Sequence, residues 1–393
     1  MYKAFLNTLK RELKRIKEYP LILVIMIAIP LAVCFVLCET FKEGSPTDLP
    51  VAVLDLDNSD LSRKIIRTID ATPSCKTIQN VLDIEDGHQQ IVSGKAYGFI
   101  LIPKRFKSDI LQGKRPQLVY YYNNNLLLIG GIITKDINSA VQTTLAGLTA
   151  HVYSTKGMSK DVAASQVNII KIDEHIKGNP YLNYSYFLST AAFINTFQII
   201  ATFLAIFAIG TEFKHGTTKE LLEIGNNSIF IVLLGKLFPY TLGILSVMGL
   251  VYFIYFVVYG APFEGSILFV CFTSLLFVLA YQLTGIMFIA LSGNYRFACS
   301  AGAFYTALGF TLAGMTYPSI AMPPAIRMYS SILAIRPYLS TIIDQSQRAF
   351  PINADIIYVY WLLILMIVPA LTIPLLKKKM QDENEWYKIW LKT

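Results

Sequence analysis

Residues able to do bond-making chemistry are few in this chain and lie far apart. Its four histidines, His88, His151, His175 and His215, form no H-E-x-x-H pair, and no G-x-S-x-G elbow occurs. Hydrolytic chemistry therefore has no visible seat. Gly94-Lys95, Gly113-Lys114 and Gly235-Lys236 each lack the upstream glycine and the following hydroxyl of a G-x-x-x-x-G-K-[ST] loop. Without a phosphate cradle of its own the chain is not an ATPase, and no cofactor or metal is expected on it. Of its five cysteines, Cys34, Cys38, Cys271 and Cys299 sit in apolar stretches and Cys75 stands alone in the polar part, so no disulfide framework is expected. The one ionisable group inside an apolar stretch is Lys236, near the start of its stretch, where a lysine stem can snorkel to the membrane interface. No acid shares that stretch, so a proton relay is not expected.

Two other constellations read as mechanical rather than catalytic. The first is the charged run Gly210-Thr211-Glu212-Phe213-Lys214-His215-Gly216-Thr217-Thr218-Lys219-Glu220-Leu221-Leu222-Glu223. Thr211 or Thr217 is placed to cap a short helix, with Glu220 three residues after Thr217 completing a capping box. Such a helix could dock on a partner; a solvated loop is the alternative. The second is Ala298, Gly302, Thr306, Gly309 and Ala313, small residues at helical spacing that let another helix approach closely, within the subunit or across a dimer.

The elements that must position these groups follow from composition. Among 393 residues, 54% are hydrophobic and 15% charged, and mean hydropathy is +0.49, against the roughly 25% charge of soluble domains. Six stretches contain no Asp, Glu, Lys or Arg: 20–38, 178–211, 237–263, 265–295, 297–326 and 356–376. Each reaches the roughly 20 residues that a helix needs to cross ~30 Å of hydrocarbon, the first only just. The first also resembles a signal-peptide core, but it is long for one and no A-x-A site follows it. Leu31-Ala32-Val33-Cys34 is near a lipoprotein box, with bulky Val33 where a small residue belongs.

Lysine and arginine set the expected orientation. Six lie in 1–18, three in 211–236, one in 293–297 and five after Leu376, while the opposite side has only Arg327, Arg336 and Arg348 outside the large polar region. The positive-inside rule then puts both termini in the cytoplasm. Most of the formal charge of +8 is accounted for by topology. Residues 39–186 carry 16 basic and 15 acidic side chains, which removes the basic face that nucleic acid would need.

The polar region has alternating elements. Val51 to Leu56 reads as a buried strand, Asn58-Ser59-Asp60 as a cap, and Leu61, Ile65, Ile66 and Ile69 as one face of a helix. Ala96 to Ile102 and Gln117 to Tyr122 read as further strands, and a long uncharged helix follows Asn123-Asn124-Asn125, starting near Leu126 and running past Ala150. This order implies an α/β domain. At the N-terminus Tyr2, Phe5, Leu6, Leu9, Leu13 and Ile16 suit a helix lying in the cytoplasmic interface with its apolar face in lipid, and Pro20 can separate it from the first span.

Several segments, in order, resemble the membrane subunit of a type-2 ATP-binding-cassette (ABC-2 type) exporter, of the subgroup with a large extracytoplasmic domain after the first span. They are Val51-Ala52-Val53-Leu54-Asp55 through Asp57-Asn58-Ser59 to Ser62; Ile102-Pro103-x-x-Phe106; Gly235-Lys236-x-x-Pro239-Tyr240; and Gly314-x-x-Tyr317-Pro318 followed by Met322-Pro323 and Pro337-Tyr338. The family's E-R-E-x-G-T coupling signature survives as Glu212, Gly216 and Thr217, with Phe213 and Lys214 in place of its arginine and second glutamate.

The resemblance implies an α-helical polytopic membrane protein with six transmembrane helices and an inserted extracytoplasmic α/β domain. Its expected parts are an amphipathic helix (1–18), TM1 (19–39), the extracytoplasmic domain (40–185), TM2 (186–211), a cytoplasmic coupling helix (212–228), TM3 (229–259), TM4 (266–292), TM5 (297–318), an extracytoplasmic reentrant region (319–355), TM6 (356–376) and a cytoplasmic tail (377–393). The implied role is the permease of an efflux transporter in a bacterial inner membrane. ATP would be hydrolysed by two partner ATPase subunits. A second permease, identical or related, surrounding lipids and, in some assemblies, a periplasmic adaptor would complete it. Glu212, Lys214, His215, Gly216, Thr217 and Glu220 would couple to the ATPase. Asn195, Thr196, Gln198, Thr306 and Thr311 would line the route or, alternatively, hydrogen-bond between helices. Drug, lipid, peptide and polysaccharide substrates are all compatible with this plan. The competing reading is a membrane-anchored receptor or scaffold with an external ligand-binding domain and no transport.

Overall fold

Pro20 divides the N-terminal region into two helices, α1 (Tyr2–Glu18) and α2 (Leu21–Thr40). A proline is tolerated where a helix begins, because its missing N–H would have no partner there. The computed structural model describes residues 1–79, 81–112, 114, 116–122, 127–155, 183–315 and 317–382. The Asn123-Asn124-Asn125 turn and the last residues of the expected tail lie outside these. The expected amphipathic helix is present as α1, but its apolar stripe does not decide its packing. Thr8, Glu12 and Ile16, four residues apart, form the buried line, and Tyr2 and Leu13 face outward.

The chain divides into two compact units, Glu43–Ile176 with Pro180–Asn183, and Met1–Lys42 with Lys177–Asn179 and Tyr184–Thr393. In the smaller unit the described elements are β1 (Leu49–Asp55), α3 (Asp60–Asp70), β2 (Cys75–Ile78), α4 (Ile84–Val92), β3 (Gly98–Ile102), α5 (Phe106–Leu111), β4 (Val119–Tyr122) and α6 (Leu127–Thr155). The sheet order is β2-β1-β3-β4, with β1 parallel to β2 and β3, and β4 antiparallel to β3. Strand β1 is buried on both faces, which is why its sequence is a continuous apolar run rather than an alternation. Val51 and Val53 meet Ile65 and Ile69 of α3 and Ile133 and Ile137 of α6 in one core cluster. Ala52, Leu54 and Phe99 form another with Val81 and Ala96. Ser59 starts α3 with a capping box. Its Oγ accepts from Ser62 N and Ser62 Oγ accepts from Ser59 N, each at 3.0 Å. Strand β2 was not expected, because Lys76 and Thr77 interrupt any apolar run in so short an edge strand.

The larger unit continues with α7 (Thr190–His215), α8 (Thr218–Ile224), α9 (Ile229–Val258), α10 (Ile267–Ser292), α11 (Tyr295–Leu312), α12 (Pro324–Ser331), α13 (Ile335–Gln347) and α14 (Ile352–Gln381). Among the described residues five helices, α2, α7, α9, α10 and α14, are long and apolar enough to cross a membrane. Helix α11, where a further span was expected, has 18 residues, rises only ~27 Å, and carries Arg296 in its first turn. Helix α7 is the most enclosed of the five. Between α11 and α14 the chain forms α12 and α13, and α13 buries Tyr338, Leu339 and Ile342. Tyr338 OH lies 2.7 Å from Ser274 Oγ and 3.0 Å from Tyr252 OH, and its ring stacks on Phe277 with centroids 4.3 Å apart. Those bonds satisfy a phenol that would be costly to bury alone.

Cys75 lies in the core of the smaller unit, and burial pushes its thiol up to about 11. The thiolate is the reacting species. At pH 8 its alkylation should therefore be about a hundredfold or more slower than that of a free thiol of pKa ~8.5. A chain whose other four cysteines are alanine, treated with iodoacetamide before and after denaturation, checks this; rapid labelling of the native chain contradicts the burial.

Candidate functional site

Lys236 is the centre of the charged region of the larger unit, and it does not snorkel. Its side chain is 0% exposed. The ammonium donates to Ala208 O at 2.7 Å and to Glu212 Oε1 at 2.6 Å, and it stands 2.8 Å from Glu12 Oε2. The ammonium thus makes two hydrogen bonds and a second ion pair, all out of water. The sequence reading failed here because both carboxylates come from other elements, Glu12 from α1 and Glu212 from α7. No search within one apolar stretch can find them.

The cluster extends outward from this pair. Arg15 Nη1 donates to Glu212 Oε1 at 2.6 Å and Arg11 Nη2 to Glu212 Oε2 at 3.1 Å. Thr217 Oγ1 donates to Glu212 Oε2, and Tyr240 OH donates to Glu12 Oε1 at 2.6 Å. Arg15 also lies over the Phe207 ring, 5.5 Å from its centroid. Three cations and two carboxylates share the site, and Glu220 reaches its rim, 3.7 Å from Arg11. That outer contact is exposed on the glutamate side and worth little, whereas the inner ones are shielded from solvent and salt.

Local geometry explains why these elements meet. Gly235 precedes Lys236 on α9, and a Cβ there would stand 2.7 Å from Thr8 Cβ and 3.3 Å from Phe5 O. Only glycine allows α1 to lie this close. Tyr240 follows Lys236 by four residues, one helical turn, so both side chains face α1. Gly235-Lys236-x-x-Pro239-Tyr240 is therefore a receptor for Glu12.

The charged run between α7 and α9 is arranged differently from the expectation. Glu212 belongs to the last turn of α7, not to the first turn of a coupling helix over 212–228. Gly216 ends α7 at φ +68°, with Thr217 N donating to Glu212 O at 3.0 Å and Gly216 N to Phe213 O at 3.4 Å, a Schellman ending. His215 Nδ1 donates back to Thr211 O at 2.8 Å. The short helix that follows is only α8. Its expected capping box does not form, because the Thr217 hydroxyl is spent on Glu212. Thr218, Leu221 and Leu222 are buried, and Lys214, His215, Gly216 and Glu220 remain exposed. The segment thus has an anchored side and a free side.

The polar groups considered for a route serve contacts between and within helices. Gln198, fully buried on α7, donates through Nε2 to Asn195 Oδ1 at 2.6 Å and to Thr306 O of α11 at 2.9 Å. Thr196 donates to Ala192 O at 2.9 Å and Thr306 to Gly302 O at 2.8 Å, while Thr311 is exposed. The small-residue face Ala298, Gly302, Gly309 and Ala313 is buried within the chain, not left for a dimer partner. A Cβ on Gly302 would stand 2.8 Å from Ile206 Cδ1, and one on Gly309 would stand 2.6 Å from Gln198 Nε2. Among the described residues no group of histidine, cysteine and acidic side chains is placed to hold a metal ion.

A multi-pass helical architecture with an ion-paired junction at one end of its central helix defines an integral membrane protein of the transporter type. Residues 20–375 match the model of the ABC-2 family transporter proteins, and the chain belongs to that family. It is similar to the protein described as "Probable multidrug ABC transporter permease YbhS" from Escherichia coli (strain K12), with 23% identity over 343 residues covering 84% of this chain and 85% of the relative. The same figures hold for the protein of that description from Escherichia coli O157:H7. Permeases of this family are in general non-catalytic transport components that work with ATPase subunits.

Removing the Lys236 charge leaves two carboxylates facing each other out of water, a change that typically costs about 3–5 kcal/mol. Lys236→Met should therefore lower the thermal unfolding midpoint in detergent sharply. Lys236→Met combined with Glu12→Gln should recover at least half of the loss, since Glu212 keeps Arg11, Arg15 and Thr217. A double variant no more stable than the single one contradicts the pairing.

Proposed function

We propose that the chain is the permease of an ATP-driven exporter and that the 214–220 segment is where its ATPase partners engage. The observation that carries this reading is the anchoring of Glu212. Its carboxylate joins α1, α7 and α9 through Arg11, Arg15 and Lys236, directly above an exposed segment. A push delivered to Lys214, Gly216 or Glu220 reaches three helices at once, because buried ion pairs resist separation. Two permeases, identical or related, with two ATPase subunits form the working unit, and a periplasmic adaptor is a further partner.

In this reading α11 completes six spans, both termini and α8 are cytoplasmic, and the smaller unit is extracytoplasmic, in a bacterial inner membrane. The charge distribution supports it. ATP binds the partner, not this chain. Small hydrophobic drugs are the substrate class favoured by the similarity to a permease described as a multidrug one. Family membership does not favour the receptor or scaffold alternative.

Reconstitution with ABC ATPase subunits, followed by ATP-driven ethidium uptake into inverted vesicles, tests the function. Gly216→Val places a β-branched residue at φ +68° with nothing within 4 Å of the new Cβ, so its effect is backbone strain alone. It should abolish uptake and weaken ATPase co-purification at normal yield. Gly216→Asn, which tolerates that conformation, should keep most activity. Equal uptake by wild type and the valine variant removes the coupling role. In intact cells an impermeant maleimide should label a cysteine placed at Ser45 and not one at Asn226; the reverse pattern overturns the orientation.

A further inference from the structure

Arg336, in the first turn of α13, lies in the longest acid-free part of the chain. Between Glu264 and Asp344 the sequence contains no aspartate or glutamate. Its Nη2 donates to Ser319 Oγ at 2.9 Å, its Nη1 stands 3.5 Å from Ser330 Oγ, and the guanidinium lies 5.0 Å from the centroid of the Trp361 ring on α14. These partners are all neutral. Asp344, the nearest acid along α13, is taken by Arg348 at 2.8 Å, and among the described residues no carboxylate pairs with Arg336. Arg327, exposed on α12, adds a second positive charge nearby. The ring and the two serines hold the plane of the guanidinium, yet the serines take only two of its five N–H donors.

The depth of this cation follows from α14. From Trp361 to Gln381 the helix rises ~30 Å, the thickness of hydrocarbon, and Lys377, Lys378 and Lys379 lie in its last turns. Tyr358, Tyr360 and Trp361 are then the aromatic residues expected at the opposite interface. Trp361 Nε1 donates to Ser331 O at 2.9 Å, which ties the end of α12 to the same level. The Arg336 guanidinium, held over Trp361, is therefore at headgroup depth. Ile332 at the end of α12, Tyr360, and Ile364 one turn deeper on α14 are exposed, on the side where acyl chains run. A charged group at a membrane interface with unshared donors and no protein counter-ion calls for an anionic partner from outside the chain.

We propose that Arg336 binds the phosphodiester of an anionic phospholipid, one with a net negative head such as phosphatidylglycerol, whose chains lie along the exposed residues of α12 and α14. A fixed guanidinium fork matches two phosphate oxygens at once, which a freely moving ammonium would not. Selectivity comes from the missing acids. The ammonium of a zwitterionic headgroup would face Arg327 and Arg336 with no free carboxylate to receive it. A soluble phosphate offers the same oxygens, but it gains nothing from Ile332, Tyr360 and Ile364. The site does not depend on the export reading, which is tested separately by nucleotide-driven uptake.

Trp361 reports on its own lipid neighbours. The full chain carrying Trp386→Phe and Trp390→Phe, which leaves Trp361 as its one tryptophan, is reconstituted in phosphatidylcholine vesicles with graded phosphatidylglycerol. One or the other lipid carries dibrominated chains. Bromine quenches indole fluorescence at short range, so the two series give the relative affinity of the lipids at Trp361. Phosphatidylglycerol should be preferred about fivefold or more, the factor that a charge-assisted contact supplies. Arg336→Gln, in protein that remains monodisperse, should bring the ratio to about one. A ratio near one with Arg336 in place overturns the proposal whatever the variant does, and an unchanged ratio in Arg336→Gln overturns it as well. Loss of the preference on adding millimolar glycerol phosphate at constant ionic strength would assign the arginine to a soluble anion and overturn the lipid site; persistence of the preference supports it.

Discussion

The rest of the larger unit depends on keeping an ammonium and two carboxylates out of water. Lys236, Glu12 and Glu212 are all nearly inaccessible, and each alone would be strongly unfavourable in that position. Together they are tolerable only in one arrangement. Glu12 must sit against α9, so the roll of α1 about its axis is fixed. Lys236 must face α7, so the rotation of α9 is fixed. The last turn of α7 must stop where Glu212 can meet Arg11 and Arg15. A hydrophobic contact tolerates slippage by a fraction of a turn, but a buried charge left without its partner does not. The cluster thus specifies the register of three helices more sharply than their leucines can.

Much of the smaller unit was legible because its elements follow from local rules. Apolar runs ending at Asp55 and Pro103 marked β1 and β3, and Ser59 with the Leu61, Ile65, Ile66 and Ile69 spacing marked α3 and its cap. Where a local rule failed, a non-local partner had taken the group. Thr217 and Glu220 have capping-box spacing, yet the hydroxyl is nearer a carboxylate from the preceding helix. The α1 stripe was legible as amphipathic, but the packed line runs along its edge through Thr8, Glu12 and Ile16, where Glu12 meets Lys236 and Tyr240. Lys236 was noticed for its rarity and misplaced, since its acids are separated from it by α2, the smaller unit and α8. Glu12, Arg11, Arg15 and Tyr240 carried no signal except that the Gly235-Lys236-x-x-Pro239-Tyr240 motif had to serve something. Gly235 against Thr8 shows what that was.

Glycine gives the central helix its neighbours in the same way. A Cβ on Gly210 would stand 2.5 Å from the Tyr295 ring, and one on Gly285 would stand 2.6 Å from Thr202 O. These contacts bring α10 and α11 within backbone reach of α7, and Gln198 adds a hydrogen bond to Thr306 O. Small-residue packing and interhelical hydrogen bonds are the two forces that hold helices together when lipid removes the hydrophobic incentive. Both are present here, on the same helix.

Helix α7 is therefore held by different means along its length. At the end near α8, ion pairs bind it to α1 and α9; along its middle, close packing binds it to α10 and α11. Under the proposed coupling, a displacement applied at Gly216 would enter at the ion-paired end, where α7 ends on a glycine at φ +68°. At Gly285 of α10 and Gly302 of α11 the Thr202 carbonyl and the Ile206 side chain of α7 pack so closely that a Cβ would stand 2.6 and 2.8 Å from them, which opposes independent sliding of α7. Under the proposed coupling, the motion would pass to α10 and α11 as a block. Helices α2 and α14, less enclosed and facing outward over most of their length, present fewer such contacts. Relative movement is least opposed at those outer surfaces, so the pattern of burial separates a closely packed core from a less enclosed periphery.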